Sequence, residues 1–160
     1  MLKFLKDTGL PAPCVLYYGP PGTGKTGSLA TLNRISDNGV IIVVGADSAN
    51  VAPYFQRSTA IGFKPLGYER ILVAQSYEDI IEAIQHARTL NPDWFALDSL
   101  SAASSLFERE LFPMNVPYGK SDSYEKWKLL ADRLVNICIN VKAGSWKYAV
   151  VVGLEEKDDD

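Results

Sequence analysis

Cysteine and histidine are nearly absent from this chain. There are two cysteines, Cys14 and Cys138, and one histidine, His86. Two thiols so far apart in sequence make neither a disulfide framework nor a metal-ligand cluster, so both are expected to be buried and inert. A single histidine with no other ligand type beside it is expected to face solvent or to sit near a helix end. Excess positive charge is missing as well: 16 Lys and Arg stand against 19 Asp and Glu, a net charge of −3. That excludes a general electrostatic hold on nucleic acid or on an anionic membrane and leaves only local basic patches. The longest apolar run, Gly39 to Gly45, is far short of the ~20 residues of a membrane helix. Lys3, Lys6 and Asp7 break up the N-terminal apolar residues before a signal-peptide core can form. No repeat, low-complexity tract or Ser/Gly linker divides the chain. What is present is 160 residues, 47% hydrophobic and 22% charged, which reads as one soluble, cytoplasmic domain over 1–160.

Short β-branched runs alternate with amphipathic stretches, the pattern of βαβ units around a parallel sheet. Candidate strands are Cys14–Tyr18, Val40–Val44, Ile71–Ala74, Trp94–Leu97 and Tyr148–Val152. Most are continuous apolar runs, as strands covered on both faces should be. Ser76 with Asp79 forms a capping-box pattern ahead of a helix from Tyr77 to Leu90. Asp122 with Glu125 offers a similar start for a helix over about 123–142, with Trp127, Leu130, Leu134, Ile137, Cys138 and Val141 on its apolar face. Phe112 to Ser121, with Pro113, Pro117 and Gly119, reads as a loop. Residues 46–70 fit no single pattern.

One motif carries chemistry outright. Gly19-Pro20-Pro21-Gly22-Thr23-Gly24-Lys25-Thr26 is a complete G-x-x-x-x-G-K-[ST] phosphate loop, followed by Gly27. A strand precedes it and a helix follows, which is the context the motif requires. The glycines let successive backbone N–H groups curl around a phosphate, and the helix start adds partial positive charge. Lys25 is the candidate for the β- and γ-phosphates, and the Thr26 hydroxyl for Mg²⁺.

A second segment completes the pair. Trp94-Phe95-Ala96-Leu97-Asp98 is an apolar strand ending in a carboxylate, the form of a Walker B segment, in which the aspartate holds Mg²⁺ through water. The competing role for Asp98 is the N-cap of the helical stretch that follows. Ser99 stands where ring-forming AAA+ ATPases have Glu. No Asn-Lys-x-Asp guanine motif occurs, and the arginines scattered from Arg34 to Arg133 form no nucleotide-kinase lid.

These residues resemble the RecA-like P-loop ATPases, and in organisation the small phage-encoded RecA-like recombination ATPases, over roughly residues 12–154. The resemblance implies a mainly parallel sheet with helices on both faces, ordered Ile71, Val40, Trp94, Tyr148, Val15 by strand. It implies Mg²⁺ and ATP as ligands, ATP hydrolysis to ADP and phosphate, and a role in DNA recombination or repair. The alternative is a nucleotide-gated binding module with negligible hydrolysis. In this family a carboxylate after the second strand orients the attacking water, and Asp47 occupies that place, one methylene shorter than the usual Glu; a surface acid is its other reading. The strand Tyr148–Val152 usually ends in a polar sensor. Here Gly153 and Leu154 follow, then Glu155, a solvated charge or a metal-shell contact, and Lys157, a candidate phosphate sensor.

The family's DNA-contacting loop falls on Pro113–Ser123, where Tyr118, Lys120 and Ser121 offer only a weak grip on single-stranded DNA. Tyr124 and Trp127, at helical spacing, are expected to pack in the core. Nothing after Glu156 corresponds to the family's later strands, so the expectation is either a reduced module or a chain cut short relative to its relatives, with a homo-oligomer in a longer form. Asp158-Asp159-Asp160 reads as an exposed acidic end.

Overall fold

The computed structural model describes residues 13–45, 51, 53–55, 65–112 and 120–154, the last stretch with side chains from 123 onward. Strand β1 (Cys14–Tyr17) leads through the phosphate loop into helix α1 (Lys25–Leu29), which tightens into a 3₁₀ segment over Ala30–Arg34. Then come β2 (Gly39–Val44), β3 (Ile71–Ala74), α2 (Tyr77–Thr89), β4 (Trp94–Asp98), α3 (Leu100–Leu111), α4 (Lys120–Lys142) and β5 (Tyr148–Val152). All pairings are parallel, and the order is β1-β5-β4-β2-β3. Read from the β3 edge, this is the order expected from the resemblance.

The continuous apolar runs of the central strands β2 and β4 are explained by cover on both faces. Val40, Ile42, Val44, Phe95, Leu97, Ala149 and Val151 point to the side of α2, α3 and α4, where Ile80, Ile84, Phe107, Ile137 and Val141 meet them. The alternate residues Ile41, Val43, Trp94, Ala96, Val150 and Val152 point to the other side, against Leu29, Val51, Phe55 and Leu66. Residues 40–42 and 94–97 are fully buried, so neither face of the central strands could accept a polar side chain at low cost. At the start of β2, Gly39 makes room for Trp94: a Cβ there would stand 1.8 Å from the indole. The Trp94 indole N–H then donates to Ser36 O at 2.8 Å, which satisfies its one polar atom in the core.

The N-terminal ends of the strands are tied by Asp93. Its carboxylate accepts from Ser36 Oγ at 2.6 Å and pairs with Lys147 Nζ at 2.8 Å. At the other end of the sheet, Ser76 caps α2 by accepting from Asp79 N at 3.0 Å. The Asp79 carboxylate reaches back to Gln75 N at 2.9 Å, one residue before the cap. The expected box is present in that slightly shifted form.

Several expectations change. Helix α4 begins at Lys120, so Asp122 lies within the helix and does not cap it, and the predicted loop is helical at residues 120 and 121. Of that loop, 113–119 lie outside the described residues. The core stripe of α4 is Leu130, Ile137 and Val141, with Leu134 partly buried beside it. Trp127 lies off that stripe, half exposed at 51% against the Phe112 ring at 4.7 Å, and Tyr124 is 75% exposed. Neither packs in the core. The thiols are also misplaced by the sequence reading: Cys14 and Cys138 are both exposed. Cys14 is on the edge strand, whose four residues are all exposed, and Cys138 lies one position beyond the buried Ile137. Partial desolvation still raises both thiol pKa values, and Cys138 raises that of Cys14 further against the opposing charge of Lys142. His86 is exposed near the end of α2, one of the two positions expected for it.

Candidate nucleotide-binding site

The site lies at the C-terminal ends of the strands, where β1, β4 and β5 deliver their following turns to one cleft. The phosphate loop takes its shape from its glycines. Gly22 and Gly24 have φ of +77° and +80°, left-handed values that side chains with a Cβ adopt only with strain. Between them Thr23 Oγ1 donates to Pro20 O at 2.9 Å, which closes the loop on itself. Gly24 occupies the N-cap of α1 and no side chain caps that end, so its first N–H groups stay open to a ligand.

Lys25 is buried, with 8% of its surface exposed. Its ammonium donates to Gly19 O at 2.6 Å, to Pro20 O at 2.5 Å and to Thr23 Oγ1 at 3.3 Å. Among the described residues no carboxylate pairs with it. A buried cation held only by carbonyl and hydroxyl dipoles is under-compensated, and an entering polyphosphate would supply the missing negative charge.

Thr26, one residue on, turns to β4. Its hydroxyl donates to Asp98 Oδ2 at 2.6 Å across 72 positions of sequence, and Asp98 is 9% exposed. The Asp98–Ser99 peptide is cis. The competing role for Asp98 is filled by its neighbour: Ser99 is the N-cap of α3, its Oγ accepting from Ala102 N at 3.1 Å. Asp98 is therefore not the cap, and its carboxylate faces the cleft beside Thr26. The pair fits a magnesium ion by donor type, since Mg²⁺ takes one or two oxygen ligands from protein and the rest from water and phosphate. Among the described residues no group of three or more His, Cys, Asp or Glu is placed to hold a metal by itself.

Two spaces that share lining residues flank these groups. A cleft of about 160 Å³ on the metal side is lined by Lys25, Thr26, Asp98, Ser99, Val152 and Leu154, among others. A wider one of about 400 Å³ lies over the phosphate loop, lined by Gly22, Gly24, Lys25, Thr26, Gly27, Val51, Tyr54 and Leu154. Val51 and Tyr54 belong to the stretch whose sequence fits no pattern, and their place here was not foreseen. The Tyr54 ring stands close over Gly27, with a ring carbon 3.8 Å from where a Cβ at that position would be. The only signal in the sequence is an aromatic residue in an otherwise unreadable stretch after β2. Leu154, which follows β5 where a polar sensor is usual, lines both spaces, a place its sequence context does not reveal. Asp47, Glu155 and Lys157, and residues 158–160, lie outside the described residues.

No protein-family model and no curated protein matches the sequence. Solved structures do match by fold, among them a prototypical ATPase from the type III secretion system of pathogenic bacteria, with a TM-score of 0.58 and 12% sequence identity. The similarity covers 93% of this chain and 46% of that one, so this chain spans less than half of its neighbour. Strand order, phosphate loop and this likeness together give the chain the fold of a RecA-like P-loop NTPase core. Among the described residues no helix is long and apolar enough to cross a membrane.

Proposed function

We propose that this chain binds Mg²⁺ and ATP as one nucleotide-binding unit and hydrolyses the ATP slowly. The observation that carries the reading is the convergence of Lys25, Thr26 and Asp98 on a single cleft, with the Lys25 ammonium unpaired by any described carboxylate. The phosphate-loop N–H groups would hold the α- and β-phosphates. Lys25 would exchange its loop carbonyls for the β- and γ-phosphate oxygens, and its charge would stabilise the transferring phosphoryl. Thr26 and Asp98 would hold Mg²⁺, which supplies charge neutralisation at the phosphates. The wider space would take the nucleoside, with the exposed face of Tyr54 available to a base or ribose.

In hydrolysis a water oxygen bonds to the γ-phosphorus while the bond to the bridging oxygen breaks, releasing ADP and phosphate. By resemblance Asp47 orients that water. The same resemblance supports a cytoplasmic role in DNA recombination or repair, homo-oligomer formation in a longer form and at most weak contact with single-stranded DNA. The second reading, nucleotide-gated binding with negligible turnover, is favoured by one observation: among the described residues, the one lining the cleft after β5 is Leu154, which has no polar side-chain atom.

Phosphate release at saturating Mg-ATP, with and without single-stranded DNA at low salt, separates the two. Slow release abolished by Asp47→Asn and kept or raised by Asp47→Glu supports the ATPase. Tight binding with no release supports the gated module. Equal rates in the wild type and both variants would remove Asp47 from the mechanism.

A further inference from the structure

The chain leaving β5 is held at two successive residues. The ladder ends where Gly153 N donates to Tyr17 O at 2.8 Å. The next residue, Leu154, is gripped by one side chain from another element. Ser101 Oγ accepts from Leu154 N at 2.8 Å and lies 3.4 Å from Leu154 O, toward which it donates. Ser101 is in the first turn of α3, three residues after Asp98 and two after the cap Ser99. One short turn thus reaches Thr26 through Asp98 and the β5 exit through Ser101.

The held residue borders both spaces of the site, as Lys25, Thr26 and Val51 also do. Leu154 lines the metal-side cleft and the space over the phosphate loop. Its side chain is apolar, so it cannot recognise a phosphate; it can only occupy volume and keep water out. A residue 38% exposed at a chain exit has little packing to hold it. The Ser101 hydroxyl supplies that restraint.

We propose that Ser101 is a positioning residue of the nucleotide site: by pinning the backbone of Leu154 it fixes an apolar wall between the two spaces, and that wall retains bound nucleotide. The inference rests on the nucleotide-binding reading above. Ser101 lines neither space, so its effect is expected in the lifetime of the complex rather than in the phosphate-loop contacts.

The test is the dissociation rate of N-methylanthraniloyl-labelled ATP, with Mg²⁺, chased by unlabelled ATP. Ser101→Ala should speed release about fivefold to tenfold, the scale of one or two lost hydrogen bonds. Ser101→Thr keeps the hydroxyl and should stay within about twofold of the wild type. Leu154→Ala removes the wall and leaves the pin, and should match Ser101→Ala. The double variant should add little, because both changes act through one wall. Melting temperatures check that all variants are folded. A wild-type rate in Ser101→Ala overturns the inference, as does fast release in Ser101→Ala with wild-type release in Leu154→Ala. Fast release that Ser101→Thr does not rescue also overturns it. If the wild-type chain takes up no labelled nucleotide, the nucleotide reading falls and this inference falls with it; uptake with unchanged release in the variants removes this inference alone.

Discussion

Strand β4 has an aspartate at each end, and the two form nearly the same bonds with different consequences. Asp93, just before the strand, accepts from a serine hydroxyl at 2.6 Å and pairs with Lys147 at 2.8 Å. Asp98, its last residue, accepts from a threonine hydroxyl at 2.6 Å, and the nearby Lys25 turns instead to the loop carbonyls. At the N-terminal end carboxylate and lysine neutralise each other and the ends of β4 and β5 are clamped. At the C-terminal end no such ion pair forms with Lys25, and both groups line one cleft. A hydrogen-bonded aspartate at a strand end is therefore not diagnostic of a site. The diagnostic feature is a buried cation and a carboxylate that line one cleft.

This contrast can be broken most directly at Lys25. Lys25→Ala should lower the affinity for Mg-ATP by about 2–4 kcal/mol, as when one partner of a desolvated charge pair is removed. Titration calorimetry showing equal affinity in both proteins would leave the cleft without its cation role. Asp98→Asn should have a smaller effect of a distinct kind. Affinity without metal should persist, while the enhancement by Mg²⁺, expected at about 1.5–3 kcal/mol for a charged oxygen partner, should disappear. Asp93→Asn serves as its control and should keep the full enhancement. Loss of the enhancement in both variants would erase the distinction between the two ends.

The smallest effect is that of Asp93→Asn on stability, and pH sharpens it. The hydrogen bond from Lys147 first, and that from Ser36 second, hold the Asp93 carboxyl below its ordinary value of 3.8. Asp93 in turn holds Lys147 above 10.5. The carboxylate's stabilising contribution is thus complete above the ordinary Asp range and fades as pH falls through the lowered value. The lysine's contribution is complete below its ordinary range and fades as pH rises through the raised one. Between about pH 5 and pH 9 the melting difference between wild type and Asp93→Asn should be small and constant, and it should shrink in strong acid. A difference that peaked inside that window would point to another titrating group.

Much of this was legible in the residues. The phosphate loop is a local structure: its glycines, its lysine and its hydroxyl act through backbone geometry within eight residues, so the motif alone identifies them. All five strands were read to within one residue at each end and β3 and β5 matched outright; burial on both faces writes the continuous apolar runs of β2 and β4, while β1 keeps such a run although its four residues are exposed. The capping role of Asp98 could not be decided that way. Asp98 and Ser99 are both good N-cap residues side by side, and only the bond from Ala102 N to Ser99 Oγ assigns the cap. The misread positions share a cause. Cys14, Cys138 and Trp127 have the apolar character of core residues, but they lie at the edge strand and off the buried stripe of α4, where nothing among the described residues covers them fully.

The sequence by itself determined the phosphate loop, the alternation of strands and helices, and the aspartate at the end of β4, since each follows from backbone sterics or from a repeat of apolar residues along the chain. Only the tertiary structure decided which residues share the cleft. Thr26 and Asp98 are 72 positions apart and meet at 2.6 Å; Leu154 joins the site because a hydroxyl 53 positions earlier holds its backbone. Such meetings depend on the order in which parallel strands lie side by side, a property of the closed sheet that no local pattern encodes.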